Sequence, residues 1–311
     1  MILTVTLNPA VDISYKLETL SLDTVNRVAD VTKTAGGKGL NVARVLQQLN
    51  VNVAATGFLG GSLGAFIRSE LTKLGIEDYF VGIKGETRNC IALIHEGQQT
   101  EILEGGPLIS EEEQARLLAA FSLHLPEVSL VAISGSLPAG IAADYYEQML
   151  ALAAEQDVPV LLDTKGDLLE RTLQSVNKPY LIKPNESELS DLLGRTLTTE
   201  AALLDGLQDE RFEGIPMVVV TRGANGAIVK EGNKLYRVTI PNVTAVNPVG
   251  SGDSVVAGFA AGLSKGMKEA PLLKYGMAMG TLNAMEEKTG FIDIEKLDWC
   301  MEQIQVIKIG H

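Results

Sequence analysis

Cysteine is nearly absent from this chain: Cys90 and Cys300 are the only two, far apart and in no CxxC or Cys/His spacing. That excludes a disulfide framework and a thiolate metal site, and it leaves both as small buried or half-buried side chains. Long apolar runs are absent as well. The longest, Val255–Leu263, falls far short of the ~20 residues a membrane-spanning helix needs. The opening MILTVTLNPAVD has no basic stretch and meets Asp12 early, so it reads as a first strand and not as a signal peptide, which makes the cytoplasm the expected compartment. Positive charge is in deficit, with 26 Lys and Arg against 39 Asp and Glu and a net charge of -13. Such a chain repels phosphodiester backbones and anionic membranes, so neither nucleic acid nor membrane is an expected partner. An anionic small substrate would need a local basic pocket.

What is present is an ordinary globular composition, 46% hydrophobic and 21% charged over 311 residues. This suits one large α/β core with an appendage, a single domain over 1–311. Strand-like segments (ILTVTL, VNVAATGFL, LVAIS, VPVLLD, PYLIK, MVVVT) alternate with amphipathic helical ones such as LNVARVLQQL and DYYEQMLALAAE. The alternation predicts a doubly wound parallel sheet in a three-layer α/β/α sandwich. Two regions, at about 11–34 and 86–105, break the rhythm. Val11, Ile13, Tyr15 and Leu17 alternate with Asp12, Ser14, Lys16 and Glu18, and Arg88 to Glu104 forms a strand pair. Neither has a crossover helix of its own, so the two are expected together as a small antiparallel sheet that serves as a lid.

Common nucleotide motifs are missing. Lys38 in TAGGKGL has neither the upstream glycine nor the following Ser/Thr of a P-loop, and no segment completes G-x-G-x-x-G. GGSLG, Gly60 to Gly64, does match a hydrolase nucleophile elbow around Ser62. Its triad would need a histidine, and His95, His124 and His311 follow no late strand, so a tight strand-to-helix turn is the favoured alternative. The segment NPVGSGDSVVAGF is more informative. Glycines at a loop-to-helix junction leave backbone N–H groups uncovered where the helix dipole is positive, which makes an anion site, and Asp253 stands beside it. A first-turn acid that only steadies the dipole is the plain alternative. An acid next to an anion hole suits phosphoryl transfer, because the carboxylate takes a proton from the attacking hydroxyl while the amides hold developing charge.

GGKGLNVARVL and NPVGSGDSVVAGF together resemble the two signature segments of the ribokinase-like (PfkB) carbohydrate kinases. NPAVD, the GGKGLN form and SGSLP resemble that family's sugar-phosphate branch. Asn247-Pro248 stands where the commoner form has Asp-Thr. The resemblance implies a ribokinase-like fold, ATP and Mg2+ as cofactors, and transfer of the γ-phosphate to the C1 hydroxyl of a ketohexose 6-phosphate; the small sheet's apolar face, which cannot stay exposed, separately suggests a homodimer through the lid. Tagatose 6-phosphate stands ahead of fructose 6-phosphate and, for attack at C6, fructose 1-phosphate. It further implies Asp253 as base with Gly250, Ser251 and Gly252 as the anion hole. Asp12, Arg27, Gly37, Lys38, Asn41, Arg88 and Ser136 would hold the sugar phosphate, with Arg27, Lys38 and Arg88 gripping its phosphate. Lys183, Asn185, Thr221, Gly223, Gly226 and Asn283 would bind ATP. Asn185 and Glu188 would organise Mg2+ largely through water, though their spacing also fits a helix capping box.

Overall fold

The computed structural model describes residues 1–310, so His311 lies outside the described residues. A large sheet runs, edge to edge, through Gln305–Gly310, Lys234–Thr239, Ala227–Glu231, Met217–Thr221, Leu181–Ile182, Val160–Asp163, Leu130–Ser134, Ile2–Thr6, Val53–Leu59 and Glu77–Asp78. All six strands read from the sequence are there, and they pair in parallel. The three strands on the C-terminal side pair antiparallel and close that edge.

Alternate residues of each central strand enter two separate cores, as the two-residue strand period requires. Ile2, Leu130 and Leu161 pack with the helices Lys38–Gln48, Ser251–Ser264 and Glu269–Ala284. Leu3, Val131 and Leu162 pack with Glu111–His124, Tyr145–Ala154 and Asp167–Gln174. The result is the expected three-layer sandwich. Helix Ser251–Ser264 is small and apolar on nearly every face because it is buried from Asp253 to Gly262, with Glu269–Ala284 laid close along it. A Cβ on Gly258 would fall 2.8 Å from the Gly276 Cα, so the two backbones touch there. No helix among the described residues is long and apolar enough to cross a membrane.

Ile2–Thr6 lies between Val53–Leu59 and Leu130–Ser134, so the strand order reverses at it. In open α/β sheets the crevice at the carboxyl ends of such strands is where ligands bind. Thr6, Ser134, Asp163, Lys183 and Thr221 end or follow the parallel strands at that edge.

The two irregular regions do form one smaller sheet, in the order Asp30–Gly36, Ala10–Leu17, Arg88–His95, Gln98–Leu103. It is not purely antiparallel as expected: the central pair, Ala10–Leu17 with Arg88–His95, is parallel. The reason is the connection. Between the two strands the chain passes through two helices and the strand Val53–Leu59 of the large sheet with its two short neighbours, which is the long crossover a parallel pair requires.

Candidate active site

Asp253 sits in the first turn of Ser251–Ser264, 6% exposed. Gly250 precedes the helix at φ 81°, a left-handed conformation, and no side chain caps that terminus. The uncapped first-turn donors keep the positive end of the dipole available to an anion. The Ser251 amide is the exception within the expected anion hole, because it donates to the Pro248 carbonyl at 3.2 Å. A Cβ on Gly252 would fall 3.1 Å from the Lys183 Nζ, so glycine lets that ammonium lie on the helix terminus. Burial, and then the charge of Asp163, push the Asp253 carboxyl up to about 6, against the opposing pull of Lys38, Asn41 and Lys183. Its Oδ2 accepts from Asn41 Nδ2 at 2.9 Å.

Asp163, which the sequence reading did not single out, organises this centre. It is 1% exposed, at the end of Val160–Asp163. Its two oxygens take different lysines, Lys38 Nζ at 3.3 Å and Lys183 Nζ at 3.4 Å. Burial alone would raise Asp163, yet Lys183 and Lys38 together hold its carboxyl below the usual carboxylate range. Lys38 behaves in the complementary way: burial would lower its ammonium, and Asp163, Asp253 and Glu188 outweigh it and raise it. The one available signal was an acid closing the strand VLLD at the ligand edge.

The expected grip of Arg27, Lys38 and Arg88 does not assemble as one group. Lys38 belongs to the Asp163 and Asp253 centre. Arg88 starts a strand of the smaller sheet and donates to the carbonyls of Glu104 (2.7 Å) and Asn8 (3.1 Å). Arg27 is exposed on the loop before Asp30–Gly36 and makes no hydrogen bond or ion pair among the described residues. Asp12, as its alternation predicts, lies opposite the buried Val11 and Ile13, in one row across the sheet with Thr34 and Cys90. A Cβ on Gly36 would fall 2.0 Å from the Asp12 Cγ, so the last glycine of that strand makes room for the carboxylate. Burial pushes Asp12 up to about 6, against Arg44 and Arg88. Gly37, at φ 112°, then opens helix Lys38–Gln48. Between these groups the crevice holds unmatched polarity: Thr6 Oγ1, Asn8 Oδ1, Arg88 Nε and Ser134 Oγ are buried without a hydrogen-bond partner among the described residues. Buried polar atoms are rarely left so, and a polar ligand at this edge would satisfy them. Ser136, two residues beyond Ser134, is exposed.

On the other side, Asn185 caps helix Glu186–Leu193 in a full capping box, its Oδ1 accepting the Glu188 N–H at 2.9 Å and Glu188 Oε2 accepting the Asn185 N–H at 3.0 Å. The cap alone stabilises by ~1 kcal/mol. Thr221 bridges to Asn185, and the turn Gly223–Asn225 follows, with open space at Gly223 and Gly226 pressed on the Val238 carbonyl. Asn283, expected among the ATP-binding residues, has its side chain committed within the protein. It is fully buried, accepts from Gly290 N and Ser254 Oγ and donates to the Val249 carbonyl, so it clamps the loop before Asp253. Among the described residues no three His, Cys, Asp or Glu side chains gather as a metal cluster. Ser62 has a carboxylate for its partner, Glu86 Oε1 at 3.2 Å. His124 stacks on Tyr79, and His95 stands in the smaller sheet, so among the described residues the hydrolase alternative finds no triad.

A near-neutral buried acid, an uncapped helix terminus and two lysines at the switch point of an α/β/α sandwich define a phosphotransferase of the ribokinase-like class. The chain belongs to the pfkB family of carbohydrate kinases, whose model matches residues 5–296, and it is an ATP-dependent sugar kinase. It is 50% identical over 99% of its length to the whole of a tagatose-6-phosphate kinase of Staphylococcus epidermidis. Among solved structures, phosphofructokinase-2 of Escherichia coli in complex with potassium superposes with a TM-score of 0.89 at 26% identity, covering 97% of this chain and 98% of that one. The same enzyme in complex with fructose-6-phosphate gives 0.86 at 25% identity and the same coverage.

Proposed function

We propose that this kinase transfers the γ-phosphoryl group of ATP to the C1 hydroxyl of D-tagatose 6-phosphate, giving tagatose 1,6-bisphosphate. The observation that carries the chemistry is Asp253, a buried carboxylate near 6 at an uncapped helix terminus between two lysines. The choice of sugar rests on the tagatose-6-phosphate kinase relative. Fructose 6-phosphate, and fructose 1-phosphate accepted at C6, are the competing substrates.

In this scheme Asp253 takes the proton of the attacking hydroxyl, its Oδ2 fixed by Asn41 so that Oδ1 faces the sugar. The Gly250 and Gly252 amides, with Lys183 and Lys38, hold the charge that spreads over the transferred group. Asp163 keeps the two ammoniums apart and aimed. Asp12 binds sugar hydroxyls, with Ser136 at the opposite wall, and the smaller sheet closes over them as a lid. Arg88, by its free Nε, grips the 6-phosphate, and Arg27 joins when its loop closes. Thr221, Gly223 and Gly226 line the nucleotide phosphates and ribose. Asn185 and Glu188 suit Mg2+ carried on those phosphates: one Glu188 oxygen is left over from the capping box, and the donor set is hard and oxygen-rich. When bound, the ion neutralises charge on the β- and γ-phosphates. A cytoplasmic setting, where ATP and sugar phosphates are at hand, goes with this function.

Steady-state kcat/KM over a panel of tagatose and fructose phosphates and the free sugars tests it. Tagatose 6-phosphate should lead. Free tagatose phosphorylated as efficiently as its 6-phosphate would overturn the sugar-phosphate assignment.

A further inference from the structure

Arg44 is the one buried arginine of helix Lys38–Gln48, 4% exposed, and neither the fold nor the phosphoryl chemistry described above accounts for it. Its guanidinium ties three pieces of chain together: the strand Asp30–Gly36, its own helix and the loop at 289–291. Nη2 donates to the Ala35 carbonyl, at the end of the smaller sheet's strand Asp30–Gly36. Nη1 donates to Asn41 Oδ1 at 3.0 Å and to the Thr289 carbonyl at 2.9 Å. The group also lies 5.6 Å from the centre of the Phe291 ring. A Cβ on Gly290 would fall 2.8 Å from Nη1, so glycine allows the loop to close on it. From Asn41 the chain of bonds continues to Asp253 Oδ2 at 2.9 Å.

A buried guanidinium costs several kcal/mol unless charges and acceptors match it. Here Asp12, on the smaller sheet, then Asp253, on the helix terminus, and Glu70 act on it as opposite charges; burial still outweighs them and lowers its pKa, so the acceptors on Ala35, Asn41 and Thr289 must hold it. The fork is divided between the sheet that carries the sugar-side acid, through Ala35, and the amide that holds the base, through Asn41. An asparagine side chain turns freely between its two faces unless its oxygen is claimed. Arg44 claims it, which leaves Nδ2 directed at Asp253.

We propose that Arg44 is a positioning residue that couples the seating of the smaller sheet to the orientation of Asp253, acting through Asn41. The proposal rests on Asp253 being the base. When Ala35 lifts away with its strand, the fork loses one anchor, Asn41 loses its fixed acceptor, and Asp253 is no longer held for attack. Closure over the sugar and readiness of the base are then one event, which limits ATP hydrolysis without an acceptor.

The test is a double-mutant cycle of Arg44→Met and Asn41→Ala, with Asp253→Asn beside it. Arg44→Met should lower kcat 10- to 100-fold with the KM for ATP within about twofold. In the Asn41→Ala background it should lower kcat less than about threefold further, since both changes break one relay. The acid limb of kcat/KM should move to higher pH, because an Asn41 amide no longer fixed by Arg44 loses the hydrogen bond that holds the Asp253 carboxyl down, while Asp163, Lys38 and Lys183 remain. Arg44→Lys, which keeps the charge and loses the fork, should fold and still lose most of kcat; it serves if the Met variant does not fold. Independent, multiplying losses from Arg44 and Asn41, or kcat within threefold of wild type in Arg44→Lys, overturn the relay. Asp253→Asn with near-wild-type turnover overturns the base instead, so the two failures are distinct.

Discussion

At the scale of single residues, function here is stored as unfavourable burial. Asp253 has an ordinary carboxyl value of 3.8 and is pushed up to about 6 in the fold. The folded chain therefore binds this proton more tightly than the unfolded chain does. By linkage, the group penalises folding in full above about pH 6, and the penalty fades as pH falls towards about 4. Two units correspond to a ceiling of about 3 kcal/mol. Asp253→Asn removes the charge and keeps the shape. It should lower kcat ~10²- to 10⁴-fold, since an amide cannot accept the proton. It should also melt above wild type at pH 7.5, with the difference closing near pH 4. Equal melting at both pH values would mean that the carboxylate is not strained by burial. Wild-type activity should decline as pH drops through about 6, where the base becomes protonated.

At the scale of elements, the same type of charge does different work according to the segment that carries it. Lys38 opens a helix under the large sheet's edge and meets Asp163, whereas Arg88 opens a strand of the smaller sheet and meets Asn8 and Glu104. Charge-assisted contacts of this kind are each worth ~1.5 to 3 kcal/mol. Arg88→Ala should therefore raise the KM for the sugar phosphate ten- to a hundredfold with little change in the KM for ATP. Lys38→Ala should fall mainly on kcat. Initial-rate kinetics with each substrate varied would separate them, and a matched rise in sugar-phosphate KM for both would restore the single grip that the sequence suggested. The legibility of the sequence follows the same division. Periodicity gave the parallel strands because burial on both faces imposes a local pattern, and the glycine-rich segments marked Asp253 and Gly250 because an uncapped helix start has a local signature. The parallel pairing of Ala10–Leu17 with Arg88–His95 was not legible, since it depends on where the intervening helices return the chain. Asp163 and Arg44 were missed for a related reason: each needs a partner more than a hundred residues away, Lys38 for Asp163 and Thr289 for Arg44, and nothing in VLLD or NVARVL records them. The clamp that Asn283 makes on the loop before Asp253 was not legible either, because a buried mid-helix amide and a ligand-facing one look alike in sequence.

At the scale of the whole molecule, the smaller sheet leaves apolar surface uncovered within one chain, and a second copy is the cover we propose for it. Leu22 (84% exposed), Val25 (72%), Ile102 (53%) and Leu103 (61%) lie on it or on its connecting loop. Beside them Tyr15, Leu17, Leu20, Val28 and Leu93 line an open groove of about 500 Å³. Apolar surface gathered in this way, on a sheet with two free edges, ordinarily meets a partner. The net charge of -13 opposes association at long range, so contact between two copies must come from the apolar sheets themselves and should persist or tighten as salt screens the repulsion. Sedimentation at micromolar concentration should show a dimer in 0.5 M salt. Leu22→Asp combined with Ile102→Asp adds like charge to both surfaces and should give a folded monomer. Because Arg27 lies on the same loop as Leu22, that monomer should also bind sugar phosphate more weakly and ATP as before. A wild-type chain that sediments as a monomer would remove the dimer, and the smaller sheet would then act over the sugar within one chain, carried by Asp12 and Arg88 alone.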